Sequence, residues 1–213
     1  RMQNRYETLK RELSAAFSDM SDFSFRELTF GEHRIFIAYI SNFSAKVYIN
    51  KYVIEPIAYA YENGTAKFPL ETIITNVKVE NLSDLSGAEN AILAGNAVVF
   101  YDGYETGYGI SVFTKNEEGR SASEPETENV IRGPHEGFTE SGENNAMLLR
   151  RKLHTSRLKR RDMNVGSVSK TSITVMYLEG IADSDTVEEI CRRISGIETD
   201  AVLDSGYIEI FIQ

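Results

Sequence analysis

The sequence contains very little cysteine, proline or tryptophan. Among its 213 residues there is one Cys and there are four Pro, while Trp does not occur. The single thiol, Cys191, excludes an intramolecular disulfide and is typical of a protein from a reducing compartment. One Cys and three scattered His are also too few for a structural zinc site. We therefore predict neither a metal nor a cofactor.

Long apolar runs are lacking as well. Stretches such as Ala97–Tyr101 and Ile173–Leu178 are much shorter than the roughly 18 residues that a membrane-spanning helix needs. The first residues are charged and amphipathic, without the apolar region of a signal peptide. With 41% apolar and 26% charged residues, the composition predicts a soluble globular piece. Because Arg1 precedes Met2, we expect the natural protein to contain further residues on either side of this sequence.

The sequence shows no catalytic constellation. Gly107 and Gly109 are followed by Val112 where a dinucleotide-binding motif has its third glycine, and no helical pattern follows. The closely spaced acids at 117 and 118 lie in a polar segment, whereas acid–base catalysis needs a shielded cleft. Cys191 would be a nucleophile only beside a base, and on the inward face of a helix a cysteine is more often a small buried hydrophobic residue. We predict that the protein is not an enzyme.

Residues 1–114 are predicted to form an N-terminal α/β subdomain. Apolar residues at three- and four-residue spacing predict a helix over 3–20, and alternation predicts a hairpin that turns at Gly31-Glu32. The remaining expected elements are a helix over 44–62 interrupted at Pro56, a strand over 71–79, a helix over 82–94 capped by Gly95, and two strands joined by a turn at Asp102-Gly103.

Residues 115–138 are polar and are predicted to connect this subdomain to a second one, residues 139–213. In the second subdomain we expect a helix with Thr139 as its N-cap and an inward face of Gly142, Ala146, Leu149 and Leu153. A strand ending near Val168 should pair with residues 171–178. A helix should start at Asp185, at capping-box spacing from Glu188, and residues 205–213 fit a strand or a helix. The predicted fold class is mixed α/β with two small subdomains.

Charge is distributed unevenly along the chain. The formal net charge is −9, yet residues 150–161 contain seven basic residues and no acid. These are Arg150, Arg151, Lys152, Arg157, Lys159, Arg160 and Arg161. They are compatible with a solvated helix end and strand edge, or with docking to anionic lipid or to another subunit. Nucleic-acid binding is disfavoured, because no aromatic residues, on which nucleobases could stack, alternate with these basic residues.

The segment that begins in the connector contains a distinctive cluster. Gly133 and Pro134 impose a specific backbone, and Arg132 is flanked by acids with which a guanidinium can pair. Phe138 is placed to pack one turn into the following helix as a hydrophobic staple. The candidate interdomain residues are Glu124, Glu128, Arg132, Gly133, Pro134, Glu136, Gly137 and Phe138. They predict a rigid interdomain clamp or, alternatively, a ligand contact.

Motifs over about residues 120–213 resemble one known family. They are Ser123-Glu124-Pro125, Glu128, Arg132-Gly133-Pro134, Glu136–Glu140, Asn145, Leu148–Arg151, Tyr177–Ala182, Ile197, Asp200 and Ser205–Glu209. In this order they resemble the A subunits of GerA-type spore germinant receptors from endospore-forming bacteria. His135, where the family usually has arginine, and Gly142-Glu143, in place of a more apolar pair, depart from that pattern.

The resemblance implies a membrane receptor. Such A subunits have a soluble N-terminal region ahead of several membrane-spanning helices and assemble with B and C subunits in the spore inner membrane. The complex senses nutrients and starts ion release; the B subunit is the favoured germinant binder, and A subunits self-associate into the ion-conducting part. This chain would be the soluble region, facing the spore cytoplasm and cut before the first membrane helix.

Two functional hypotheses follow from this resemblance. In the first, the chain is a non-enzymatic domain that relays a signal, supports subunit assembly or helps to gate the ion-conducting complex. In the second, a cleft between two lobes binds a small nutrient directly, as in small-molecule binding proteins of similar shape. The candidate ligand contacts are then Arg132, Glu136, Tyr101, Tyr104 and Tyr108.

Overall fold

A computed structural model describes residues 2–41, 43–66, 69–74, 78–102, 109–112, 137–202 and 205–212. The chain divides into two compact units, the first comprising residues 1–17 and 22–138, the second residues 18–21 and 139–213. Both units combine helices with antiparallel strands, in agreement with the predicted mixed α/β class. None of the helices in the described ranges has the length and hydropathy that crossing a bilayer requires.

The first unit is built on a five-stranded antiparallel sheet. Its strands are β1 (Phe23–Phe30), β2 (His33–Ile40), β3 (Val79–Leu82), β4 (Ala97–Tyr101) and β5 (Gly109–Val112), in the spatial order β1-β2-β4-β5-β3. The predicted hairpin is confirmed, with Phe30 opposite His33 and Gly31 at a φ of 58° in the turn. The two strands predicted around the Asp102-Gly103 turn are β4 and β5, although the turn beyond Asp102 lies outside the described residues.

Helix α1 (Met2–Ala16) packs its apolar stripe into the core of this unit. Tyr6, Leu9 and Leu13 are buried at the predicted spacing. The Tyr6 ring lies edge-on to Phe36 at 5.3 Å between centroids, an arrangement that aromatic pairs favour. The predicted helix to residue 20 is too long, because Asp19 takes a left-handed φ of 55° and the chain leaves the helix.

The helical region before residue 62 is interrupted just ahead of Pro56. It comprises α2 (Phe43–Ile49), a π-helical turn (Asn50–Ile54) and α3 (Glu55–Glu62). The Glu55 N–H donates to the carbonyl of Asn50, five residues earlier, and Pro56 follows in the first turn of α3, where its missing N–H costs little. The predicted interruption is therefore present, one residue upstream of the proline.

The strand predicted over residues 71–79 is wrong in its first part. Leu70–Thr72 form a 3-10 turn in which the Thr72 hydroxyl and N–H donate to the carbonyl of Pro69. Leu70 and Ile74, which are four residues apart, are both buried. This is a helical spacing, but within a short run of apolar residues it also fits a strand. Further along, α4 (Leu85–Leu93) ends as predicted before Gly95, which has a φ of 89°.

In its described residues, the second unit combines three helices with one hairpin. They are α5 (Gly142–Lys152), α6 (Ser184–Ser195) and α7 (Ser205–Ile212), with β6 (Leu158–Val165) pairing antiparallel with β7 (Thr171–Leu178). The predicted hairpin is thus confirmed, and the ambiguous last segment is helical. Its core consists of Val165, Ile194, Ile197 and Val202, against which Ile208 and Ile212 of α7 pack.

The N-caps of both long helices in this unit differ from the predicted ones. Ser141, and not Thr139, caps α5 by accepting from the Asn144 N–H. Asp183, two residues before the predicted Asp185, caps α6 and accepts from the N–H and hydroxyl of Thr186. On α5 the inward face also differs, because the buried residues are Ala146, Leu148 and Arg150, whereas Leu153 is exposed.

Candidate functional site

Most of the predicted interdomain residues lie outside the described residues. They are Glu124, Glu128, Arg132, Gly133, Pro134 and Glu136, and the same is true of the candidate ligand contacts Tyr104 and Tyr108. Phe138 leaves 68% of its surface exposed, so the predicted hydrophobic staple on α5 is wrong. Tyr101 is buried in β4, where it pairs with Ile35. Its side chain therefore belongs to the core of the first unit.

The basic segment 150–161 is only partly a surface. Arg151, Lys152 and Arg157 are exposed, and Arg161 is half-buried. In contrast, Arg150, Lys159 and Arg160 are buried. Buried cations are retained only when they are paired and hydrogen-bonded. These three residues therefore do not form a lipid-docking patch, and each has a partner within the second unit.

Arg150 and Lys159 are held from opposite ends of the α5–β6 connection. Arg150, in the last turn of α5, donates through Nη1 to the carbonyl of Leu158 at 3.0 Å. The ammonium of Lys159 lies 3.4 Å from the Glu179 carboxylate. Both cations therefore brace the start of β6 from within the unit.

Arg160 forms a bidentate ion pair with Glu143. Its Nη1 and Nη2 donate to the two oxygens of Glu143, at 3.1 and 2.6 Å, while its Nε donates to Oδ1 of Asp162 at 3.0 Å. The Arg160 side chain is 5% exposed, whereas Glu143 remains 59% exposed. Because the fork geometry of arginine matches a carboxylate, this contact fixes the first turn of α5 on β6.

The Asp162 carboxylate accepts hydrogen bonds from three side chains. Its Oδ2 accepts from the Ser21 hydroxyl at 2.6 Å, and its Oδ1 from the Thr174 hydroxyl at 2.7 Å as well as from Arg160. Burial alone would raise the pKa of Asp162, but these three hydrogen bonds outweigh it and hold the pKa below its usual value. Asp162 is therefore ionised at neutral pH.

Arg161, between Arg160 and Asp162 on the strand, lies on the other face. Its Nη1 is 2.7 Å from Oε1 of Glu188 on α6, and its Nη2 donates to Asp19 at 3.3 Å. The guanidinium carbon lies 5.6 Å from the centre of the Tyr177 ring. The hydrogen bond to Glu188 raises the pKa of Arg161 further above its ordinary value.

The segment Ser18–Ser21 joins β6 through its backbone as well. The Arg160 N–H donates to the carbonyl of Asp19 at 3.2 Å, and the Ser21 N–H donates to the carbonyl of Arg160 at 2.9 Å. Met20 forms a parallel bridge with Arg160 and is buried. We call the set Asp19, Ser21, Glu143, Arg160, Arg161, Asp162, Thr174 and Glu188 the β6 charge cluster.

The turn after β7 explains one of the sequence motifs. Gly180 has a φ of 78°, and a Cβ at that position would lie 2.9 Å from Nη2 of Arg157. The Arg157 guanidinium lies where that Cβ would be close, and its Nε donates to the carbonyl of Glu179 at 2.9 Å. The glycine in the motif Tyr177–Ala182 is therefore favoured by the left-handed backbone of this turn, which a residue with a Cβ rarely adopts.

The β6 charge cluster is suited to holding elements together and offers no catalytic geometry. Its acids and bases are engaged with each other, and an open cavity of about 500 Å³ beside them is lined by Asp19, Met20, Ser21, Arg160, Arg161, Asp162, Met163 and Cys191. Within the described ranges, no group of three or more His, Cys, Asp or Glu side chains is arranged to hold a metal ion.

A family model and two similar proteins all point to spore germination proteins. The model of the Bacillus/Clostridium GerA spore germination protein family matches residues 11–213. Spore germination protein KA of Bacillus subtilis (strain 168) is 33% identical over 202 residues, covering 91% of this chain and 36% of that protein. Spore germination protein GerLA of Bacillus cereus is 31% identical over 215 residues, covering 99% of this chain and 43% of that protein.

One further relative and one solved structure extend this result. The uncharacterized membrane protein YfkQ of Bacillus subtilis (strain 168) is 34% identical over 196 residues, covering 91% of this chain and 38% of that protein. The N-terminal domain of the A subunit of the Bacillus megaterium spore germinant receptor GerK3 superposes with a TM-score of 0.66 at 25% identity. That match covers 98% of this chain and 77% of the solved one. The chain thus spans about two fifths of the length of its curated relatives.

Proposed function

The chain belongs to the Bacillus/Clostridium GerA family of spore germination proteins, and we propose that it is the N-terminal domain of a nutrient germinant receptor A subunit. The observation that carries the proposal is the match of 98% of this chain to the N-terminal domain of the GerK3 A subunit. The relatives named as spore germination proteins are more than twice as long as this chain. The remaining parts of such a receptor are therefore assigned to sequence outside it.

The domain acts without catalysing a reaction. The β6 charge cluster pairs its charged side chains internally, so that they position α5, α6 and β6 and do not activate a nucleophile. Its part in germination is to relay a signal, to support subunit assembly or to help gate an ion-conducting membrane complex. The partners are the B and C subunits of the same receptor, and the full-length protein resides in the spore inner membrane with this domain facing the spore cytoplasm.

The path of the chain provides a means of relay. After α1 and Phe17 in the first unit, residues Ser18–Ser21 form part of the second unit, and the chain then re-enters the first unit at Asp22. The inserted segment is fixed to β6 by two backbone hydrogen bonds and by the Ser21–Asp162 contact. The segment therefore links β6 through the covalent chain to the end of α1 and the start of β1, and this connection supports the proposed relay.

The proposal is tested in spores from which the coding gene has been deleted. We expect loss of ion release in response to at least one nutrient that germinates the parent strain, and recovery when the gene is restored. Unchanged responses to every germinant of the parent strain would overturn the proposal.

Direct nutrient binding by this chain is the alternative role. It is tested by thermal unfolding of the chain with a panel of amino acids, sugars and nucleosides. A ligand at about 100 times its Kd stabilises the fold by roughly 2.7 kcal/mol, which is a shift of roughly 5–10 °C at this size. A selective shift would favour binding over relay, and its absence across the panel would favour relay.

A further inference from the structure

The exposed part of the basic segment begins at the C-terminal end of α5. Arg151, Lys152 and His154 are exposed there. In the part of the chain that the structure describes, the side chains of Arg151 and Lys152 form no hydrogen bond or ion pair. Their charges complement the dipole of α5, yet both ends of these side chains remain open to a partner from outside.

A third cation and two apolar side chains lie at the same end of the unit. Because β6 begins opposite the end of β7, the chain before β6 and the chain after β7 are neighbours. Arg157 connects them, since its Nε donates to the carbonyl of Glu179. Ile181, in the turn after β7, is 74% exposed, and Leu153, before β6, is 39% exposed. We call the following residues the α5-end surface: Arg151, Lys152, Leu153, His154, Arg157 and Ile181.

The acids of this unit leave the positive charge of the α5-end surface uncancelled. Residues 144–161 contain no acid. Glu179 has its carboxylate 3.4 Å from the ammonium of the buried Lys159, which compensates its charge. Asp183 and Asp185 follow in sequence but belong to the start of α6. Because α5 and α6 pair with consecutive arginines of β6, which point to opposite faces, these two acids lie across the strand from α5.

We propose that the α5-end surface docks on an anionic lipid bilayer. Its three cations attract anionic headgroups, and the exposed apolar side chains beside them enter the boundary between headgroups and acyl chains. The inference rests on the proposed function, in which the full-length protein resides in a membrane and a bilayer is therefore within reach of this domain. That neighbour favours lipid over an acidic protein as the occupant.

The number of cations sets the size of the expected effect. Each basic residue close to an anionic surface strengthens binding roughly fivefold, so three of them strengthen it roughly 100-fold relative to a neutral bilayer. The attraction acts within a Debye length, which is about 8 Å at 0.15 M salt and about 3 Å at 1 M. Binding should therefore be selective for anionic lipid and should weaken strongly at high salt.

Cosedimentation of the 213-residue chain with vesicles tests the role of the cations. The vesicles consist of phosphatidylcholine alone or of equal parts phosphatidylcholine and phosphatidylglycerol, at millimolar lipid. We expect the parent chain to bind the second kind only, and Arg151→Gln/Lys152→Gln to bind it at least about tenfold more weakly. Arg11→Gln/Arg26→Gln removes two exposed cations of the first unit and is the matched control, because it has the same net charge. It should bind like the parent.

Three results would overturn the proposal. The parent chain could fail to bind the anionic vesicles, which would leave an acidic protein surface as the alternative partner. It could bind both kinds of vesicle equally, or the two double variants could lose binding equally. Urea unfolding checks that both variants keep the stability of the parent, as expected for exposed side chains.

Exposed apolar residues at the two ends of the β6–β7 hairpin test the apolar contact. Ile181→Ser should weaken binding to the anionic vesicles roughly threefold to tenfold, because its side chain leaves the bilayer boundary. Val168→Ser, in the turn at the other end of the hairpin, is the matched control, since Val168 is 77% exposed, and it should bind like the parent. Equal binding by these two variants would overturn the proposal. Vesicle binding is measured on this chain alone, so it can fail while the deletion test in spores succeeds, and the reverse.

Discussion

Replacing Asp162 by Asn changes the charge of the acceptor at the centre of the β6 charge cluster and leaves its size unchanged. The amide oxygen can still accept from Thr174 and Arg160, and the Ser21 hydroxyl can turn to accept from the new NH2 group. What is lost is the charge on the acceptor. Because a hydrogen bond to a charged group contributes about 1.5–3 kcal/mol and a neutral one about 1, we expect the free energy of unfolding to fall by about 1–2 kcal/mol at pH 7.

The effect of this substitution should depend on pH. The hydrogen bonds of Asp162 hold its pKa in the folded protein below its usual value, whereas the unfolded chain has a pKa of about 3.9. The carboxylate therefore stabilises the fold above about pH 4, and this contribution is lost as the pH falls through the lower folded pKa. The stability difference between parent and variant should be full at pH 7 and should shrink below about pH 4.

Urea unfolding of the parent and of Asp162→Asn, at pH 7 and below about pH 4, measures this difference in stability. Asp185→Asn, an exposed substitution in the first turn of α6, is the matched control and should stay within about 0.5 kcal/mol of the parent. An Asp162→Asn variant as stable as the parent at pH 7, or a difference that grows in acid, would refute the reasoning.

The remaining predictions concern backbone, cap and core, and urea unfolding at pH 7 checks each. Gly166→Ala should cost about 2–4 kcal/mol, because φ is 91° and the new methyl would overlap the Ser169 hydroxyl. Gly64→Ala, at a φ of 64° with open space around it, should cost only about 1 kcal/mol, and equal losses at both glycines would contradict the steric argument. Ser141→Ala should remove the N-cap of α5 and about 1 kcal/mol, so an unchanged stability would disprove its capping role. Ile57→Ala should cost about 2–5 kcal/mol, since Ile57 is fully buried, and a loss below about 1 kcal/mol would show that the site is solvated.

Regular periodicity in the sequence predicts most of the secondary structure. The β1–β2 and β6–β7 hairpins follow from alternation and from turn residues, which act over a few positions. The predicted N-caps are wrong for a local reason. Several residues that could cap a helix lie close together in the sequence, and the backbone conformation decides which of them accepts the hydrogen bond from the helix. Thus Ser141 and Asp183 have extended backbone and bond to the helix, in place of Thr139 and Asp185.

The candidate site depends on contacts that no local pattern shows. Residues 150–161 look like a solvated basic surface, but Arg160 pairs with Glu143 seventeen residues earlier, and Asp162 accepts from Ser21 at a separation of 141 residues. Sequence spacing contains no signal for partners so far apart. The solvated surface expected from the absence of acids within the segment is wrong for Arg160, which is buried and paired with Glu143 of α5. Arg161 is half-buried, and its counter-ions come from Ser18–Ser21 and from α6.

The relay that we propose depends on the attachment of Ser18–Ser21 to β6, which Asp162→Asn weakens by removing the charge of the Ser21 acceptor. Nutrient-triggered ion release from spores tests this proposal directly. The measurement compares spores carrying Asp162→Asn with spores carrying Asp185→Asn, both with receptor protein at the parent level. We predict slower release for Asp162→Asn and a parental rate for Asp185→Asn. A parental rate for Asp162→Asn at that abundance would contradict a role of the β6 charge cluster in germination.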